Sequence, residues 1–129
     1  MGLWDRSCVA IGVVHLHALP GAPSAERSFD ACLEAALSDA HAYKAAGFDA
    51  IMVENHGDAP FRKDRCDPHV PAFLALCARQ IRHTHDLPVG INCLRNDAHA
   101  ALGAAAVDHL AGQHGRARGR ERAAQLRPA

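Results

Sequence analysis

Hydrophobic and polar positions switch between two spacings along the chain. Residues 8–16 (CVAIGVVHL) form a short, β-branched, nearly uninterrupted apolar run, and the turn-forming Leu19-Pro20-Gly21-Ala22-Pro23 follows it. That pattern predicts a buried strand of a parallel sheet. From residue 28 to 46 the apolar side chains Phe29, Leu33, Ala36, Leu37, Ala40 and Tyr43 recur every three or four positions. This predicts a helix with Ser28 or Asp30 as N-cap and Gly47 as its left-handed stop. Residues 48–54 (FDAIMVE) read as a second strand, left through the polar turn 55–60 and a linker, 61–67. Pro68 and Pro71 are tolerated only in or before a helix's first turn, so Val70, Phe73, Leu74, Cys77 and Ile81 predict the buried face of a second helix ending near His85. Residues 87–94 (LPVGINCL) predict a third strand with Pro88 confined to its start. Asn96 or Asp97 can cap a third helix, 98–110, with Leu102, Ala105, Ala106 and Leu110 as its stripe.

The resulting order, βαβαβα, calls for a parallel sheet with helices on its outside. A doubly wound sheet is disfavoured because the first βα turn has no GxGxxG to cradle a pyrophosphate. A (β/α)8 barrel gathers polar functional residues where strands end, and every predicted strand here ends that way: His15 and His17, then Glu54 and Asn55, then Asn92, Arg95 and Asn96. The expected fold class is therefore α/β, a partial (β/α)8 TIM barrel of about three βα units where a full barrel takes about 250 residues. Residues 1–111 would be the N-terminal part of such a barrel, and 112–129 an Arg-rich, disordered tail.

Composition narrows the field. With 129 residues, 49% apolar and 22% charged, the chain can build one core and is not a disordered polypeptide. Fourteen basic and fourteen acidic residues cancel overall. Residues 1–113 hold nine basic against thirteen acidic side chains, whereas Arg116, Arg118, Arg120, Arg122 and Arg127 face only Glu121 in the tail. Arginines without interleaved aromatics give a solvated extension in preference to a nucleic-acid-binding element. Five scattered cysteines with no CxxC pair fit reduced, cytoplasmic thiols. No apolar run approaches the roughly 18 residues of a membrane span, so no membrane association is expected.

Candidate chemistry sits at the strand ends. Glu54 closes an apolar strand, where partial desolvation raises a carboxyl toward the range useful for a general acid or base; the plain alternative is an ion pair with Arg95. Asn92 lies in an apolar strand and suits a substrate hydroxyl, or else bonds a polar side chain of the neighbouring strand. Arg95 offers a planar fork for phosphate or carboxylate, and Asn96 with Asp97 leads into a helix N-terminus or merely caps it. His15 and His17, two apart on a strand, share a face and could place two imidazoles on one divalent metal, the cofactor expectation; His15 is otherwise a hydrogen-bonding or proton-transfer residue. Asp58 can reach over the rim, bind a cation or close an Asx turn, and Asn55 is a further substrate contact. His83 and His85 are expected on a helix, away from the rim and exposed.

The stretches IGVVHLHALPGAP (11–23), AGFDAIMVENHGDAPF (46–61) and PVGINCLRNDAHAAL (88–102) resemble the BtpA family, in its order and spacing. The resemblance covers about residues 9–107 and implies a (β/α)8 fold of the phosphate-binding-barrel type. It further implies a barrel enzyme or photosystem I assembly-related factor handling a small, phosphorylated or sugar-derived ligand. His17 stands where such proteins more usually carry proline, and the family's later strands have no counterpart here. A truncated member, inactive alone, is the expectation, with a noncatalytic assembly protein and a metal-dependent hydrolase-like site as alternatives. A homo-oligomer completing the open sheet is the expected macromolecular partner.

Overall fold

The computed structural model describes residues 2–107 and 109. Three strands form one sheet in the order β1 (Ile11–His15), β2 (Ala50–Glu54), β3 (Val89–Asn92), with both pairs parallel. Parallel neighbours cannot be joined by a tight turn, and the chain returns between them through α1 (Phe29–Ala45) and α2 (His69–His85). Residues 98–107 form a third helix, α3. The strands are shorter than the apolar runs that encode them: residues 8–10, 48–49 and 87–88 enter the sheet without strand geometry. The expectation for residues 112–129 falls outside the described residues.

The helix signals act as their chemistry dictates. Ser28 is the N-cap of α1 and its hydroxyl accepts from the Ala31 amide at 3.2 Å. Just past the helix end Gly47 takes φ of +84°, a conformation that costs glycine little. Pro68 occupies the N-cap position of α2 and Pro71 its first turn, where a missing N–H breaks no helical bond. Asp86, left-handed, ends that helix.

Between the sheet and the helices lies the core. Val14, Leu16, Ile51 and Val53 alternate toward one face and meet Cys32, Ala36 and Ala40 of α1 and Phe73, Leu74, Cys77 and Ile81 of α2. Small residues on α1 bring its backbone close to the strands, while α2 supplies the bulk. Burial of each large aliphatic or aromatic side chain contributes about 1.5–3 kcal/mol. The predicted α2 face is buried at every named position. The predicted stripe of α3 is corrected among the described residues, Leu110 lying outside them: Leu102 is 71% exposed and Ala104 is the buried residue, with Ala100 and Ala101 packed beside it. His85 is likewise only half-exposed, its ring 5.8 Å from that of His41, while His83 is exposed as expected.

The opposite sheet face carries the alternate residues. Register pairs His15 with Glu54 and Glu54 with Asn92, so one rung at the C-terminal ends of the strands is polar across the whole sheet. The chain then leaves β2 through a short 3-10 turn, His56–Asp58, pressed against the β1 exit. The Gly57 amide donates to the Leu16 carbonyl at 2.9 Å. A Cβ on Gly57 would stand 2.3 Å from the Ala18 nitrogen, so no other residue fits without moving backbone. Replacement Gly57→Ala is expected to lower the unfolding free energy by about 1–3 kcal/mol. Gly103→Ala, where a Cβ meets nothing within 4 Å on α3, is expected to raise it by up to about 1 kcal/mol. Urea unfolding of the two variants measures both.

Candidate functional site

Glu54 is the centre of the polar rung. Its side chain is 15% exposed, and its two oxygens are differently employed. Oε1 lies 2.9 Å from His15 Nε2 and 3.8 Å from His56 Nδ1. Oε2 accepts a 2.7 Å hydrogen bond from Asn92 Nδ2. The two imidazoles stack on each other, centroids 4.4 Å apart and planes 25° from parallel. One carboxylate is thus oriented from both neighbouring strands and from the turn that follows its own.

Of the expected residues, the structure brings His15, Glu54 and Asn92 together. Asn92 is exposed, not buried, because it ends a strand whose far edge is unpaired among the described residues; it bonds the neighbouring strand's side chain, the plainer of its two expected roles. Arg95 makes no ion pair with Glu54: the chain has left β3 by then, and Arg95 contributes its carbonyl to the Asp64 amide at 3.0 Å. Asn96 adopts φ of +65° in the same turn, and Asp97, not Asn96, caps α3 through the Ala100 amide at 3.0 Å. His17 lies beyond β1, and its imidazole is not in the group with His15; the second histidine is His56. Nothing in the periodicity singled out His56, since its position depends on the close approach at Gly57; its place two residues after Glu54 was the available clue.

Asn55 and Asp58, expected as ligand contacts, bond the loops around them. Asn55 is 2% exposed, accepts from the Leu94 amide at 2.7 Å and donates to the Leu94 carbonyl at 3.1 Å and to Asp58 at 3.2 Å. The other Asp58 oxygen takes the Leu19 amide at 2.8 Å. These bonds tie all three loops at the strand exits together. Asn55 and Asp58 also line a cleft of about 180 Å³ between residues 21–23 and the start of α2, which none of His15, Glu54 or Asn92 lines.

A second cluster lies where the linker meets α3. Cys66 and Cys93 place their sulfurs 3.3 Å apart, and Asp97 accepts from the Cys66 amide at 2.9 Å. Burial pushes both thiols up from their ordinary range, and it holds Cys77 in the core up at about 12. The amides of Ala100 and Cys66 hold the Asp97 carboxyl below the usual carboxylate range.

Fold and site define an α/β protein with a parallel sheet whose polar side chains gather at the strands' C-terminal rim. The sequence profile described as "BtpA family" matches residues 6–111, and the chain belongs to that family. An uncharacterised protein of Thermococcus kodakarensis is 52% identical over 91 residues, which cover 70% of this chain and 34% of that protein. A second uncharacterised protein, from Methanocaldococcus jannaschii, is 45% identical over 97 residues, 75% of this chain and 37% of its own length. The photosystem I biogenesis protein BtpA of Synechocystis is 47% identical over 92 residues, 71% of this chain and 32% of that protein. The chain spans about a third of the length of these curated relatives. No solved structure matches it. Among the described residues no helix is long and apolar enough to cross a membrane.

Because the folded-state pKa of Asp97 is depressed, its ionised form contributes stability that is fully present above the unfolded pKa and is lost as pH falls through the folded one. Asp97→Asn is expected to lower the urea midpoint at pH 7 and to flatten its decline as pH falls through and below the ordinary carboxylate range. Urea titrations of both proteins across that window test the assignment.

Proposed function

We propose that these residues are the opening units of a (β/α)8 barrel of the phosphate-binding type, and that the strand rim is the binding surface for a small, phosphorylated or sugar-derived ligand. The observation that carries this reading is the register that sets His15, Glu54 and Asn92 side by side, with both Glu54 oxygens held at hydrogen-bonding distance. A carboxylate oriented from two strands is preorganised to accept or deliver a proton without a search through rotamers. Glu54 serves as general acid or base, His15 assists it, and Asn92 orients a ligand hydroxyl. Arg95 and Asn96, both exposed in the turn after β3, are the anion contacts. The setting is cytoplasmic, and the whole barrel's activity needs strands beyond these three.

A noncatalytic assembly role is the second reading, favoured by the identity to the Synechocystis protein, whose name places it in photosystem I biogenesis. In either case a second copy pairing on the edge of β3 that is unpaired among the described residues would complete the sheet. Size-exclusion chromatography with light scattering tests that pairing, which a strictly monomeric product would rule out.

The enzyme reading is tested by screening sugars and sugar phosphates by thermal shift and then assaying any stabilising compound for turnover. Glu54→Gln is expected to reduce turnover by about 10²–10⁴-fold, the range of a lost general acid or base. Full activity in that variant refutes the assignment.

A further inference from the structure

The rim holds three donors of a kind that metals prefer, in an arrangement that a spacing rule based on HxH would place elsewhere. One ligand atom from each of His15, Glu54 and His56 lies within 4.8 Å of the others. Two ligands at about 2.0–2.2 Å from one ion stand about 3–3.5 Å apart in tetrahedral or octahedral geometry. The measured separations from Oε1, 2.9 Å to His15 and 3.8 Å to His56, bracket that range. A small rotation of one exposed imidazole closes the difference.

Each donor is anchored independently. His15 ends β1 and Glu54 ends β2, so the sheet ladder fixes their backbones. His56 begins the 3-10 turn that the Gly57 amide pins to Leu16. Asn92 holds the remaining Glu54 oxygen, the kind of outer contact that orients a coordinating carboxylate. Four residues from three strand exits thus meet at one carboxylate, with both imidazoles facing Oε1 and Asn92 on Oε2.

We propose that His15, Glu54 and His56 form a divalent metal site on the rim. Two imidazoles with one carboxylate select a first-row transition ion such as Zn²⁺, Co²⁺, Mn²⁺ or Fe²⁺ over Mg²⁺ or Ca²⁺, which take oxygen donors. Three protein ligands on one side leave coordination positions for water or for an oxygen of the ligand. The inference rests on the rim being the functional site and refines which atom handles the proton: with Oε1 on the ion, a metal-bound water takes over from the carboxylate. Asn92 then keeps the carboxylate from rotating.

The test is binding, read without turnover. The full chain, stripped with a chelator and dialysed, is titrated with Co²⁺ by visible absorption and with Zn²⁺ by calorimetry. One equivalent is expected, with affinity reduced at least about tenfold in each of His15→Ala, His56→Ala and Glu54→Gln, in line with loss of a metal-site residue. His17→Ala is expected to bind as the unsubstituted chain does, which separates this site from an HxH pair and from general attraction to a histidine-rich surface. Circular dichroism confirms folding of each variant, and His56→Gln, which keeps most of the side-chain volume, replaces any that does not fold. Absence of stoichiometric binding overturns the proposal. So does binding that survives His56→Ala, or that is lost in His17→Ala or in Cys66→Ser. Stoichiometric binding with no sugar phosphate hit would uphold the metal site and defeat only the ligand reading.

Discussion

Everything at the rim depends on one side-chain amide. Asn55 exchanges both a donor and an acceptor bond with the backbone of Leu94, as a neighbouring strand residue would, and passes a third bond to Asp58, which holds Leu19. The β2 exit is thereby joined to the chain leaving β3 and to the chain leaving β1. Because Asn55 and Asp58 are buried, any broken bond leaves a polar group without water, a cost of about 1–3 kcal/mol for each orphan. Glu54 sits one residue upstream of this brace, so its direction is set by interactions on both sides of its peptide.

The same brace explains the division of labour between adjacent residues. In a strand, neighbours face opposite ways; Val53 turns into the core and Glu54 toward the open face, and Asn55, just past the strand end, is buried in its bonds to Leu94 and Asp58. A sequence read as a list of polar residues at strand ends cannot tell which neighbour faces a ligand and which faces the frame. On that reading Glu54 is the acid or base, and Asn55 and Asp58 are both ligand contacts. Their bonds separate them: Asn55 and Asp58 join the loops and line the cleft beside α2, whereas Glu54 bonds the side chains of the rung.

How far the fold was legible follows from which signals are local. The α2 stripe and the end signals at Ser28, Gly47 and Pro68 are properties of a few consecutive residues and act as read; α1 forms as read, but Phe29 of its stripe is exposed and Cys32, outside the stripe, is buried. The third helix was readable as a helix but not in its facing, because alanines occupy so many of its positions that the pattern has no phase. Asn92 misled because an apolar strand was taken as buried, whereas β3 has a partner on one side only among the described residues. His56 was invisible for a different reason. Its place comes from two chain segments, 40 residues apart, meeting at a point where only glycine fits.

Parallel pairing gives the polar rung a further property. The ladder sets the backbone positions from which the rung's members reach one another, so their alignment depends on chain length as well as on residue type. Inserting or deleting one residue within β2 would exchange its two faces, sending Glu54 among the core aliphatics and bringing a valine to the rim. Changes of length in the α1–β2 or β2–α2 connections would leave the rung untouched as long as Gly57 kept its seat. Natural variation in length among relatives is therefore expected to fall in those connections and to spare the five residues of the central strand.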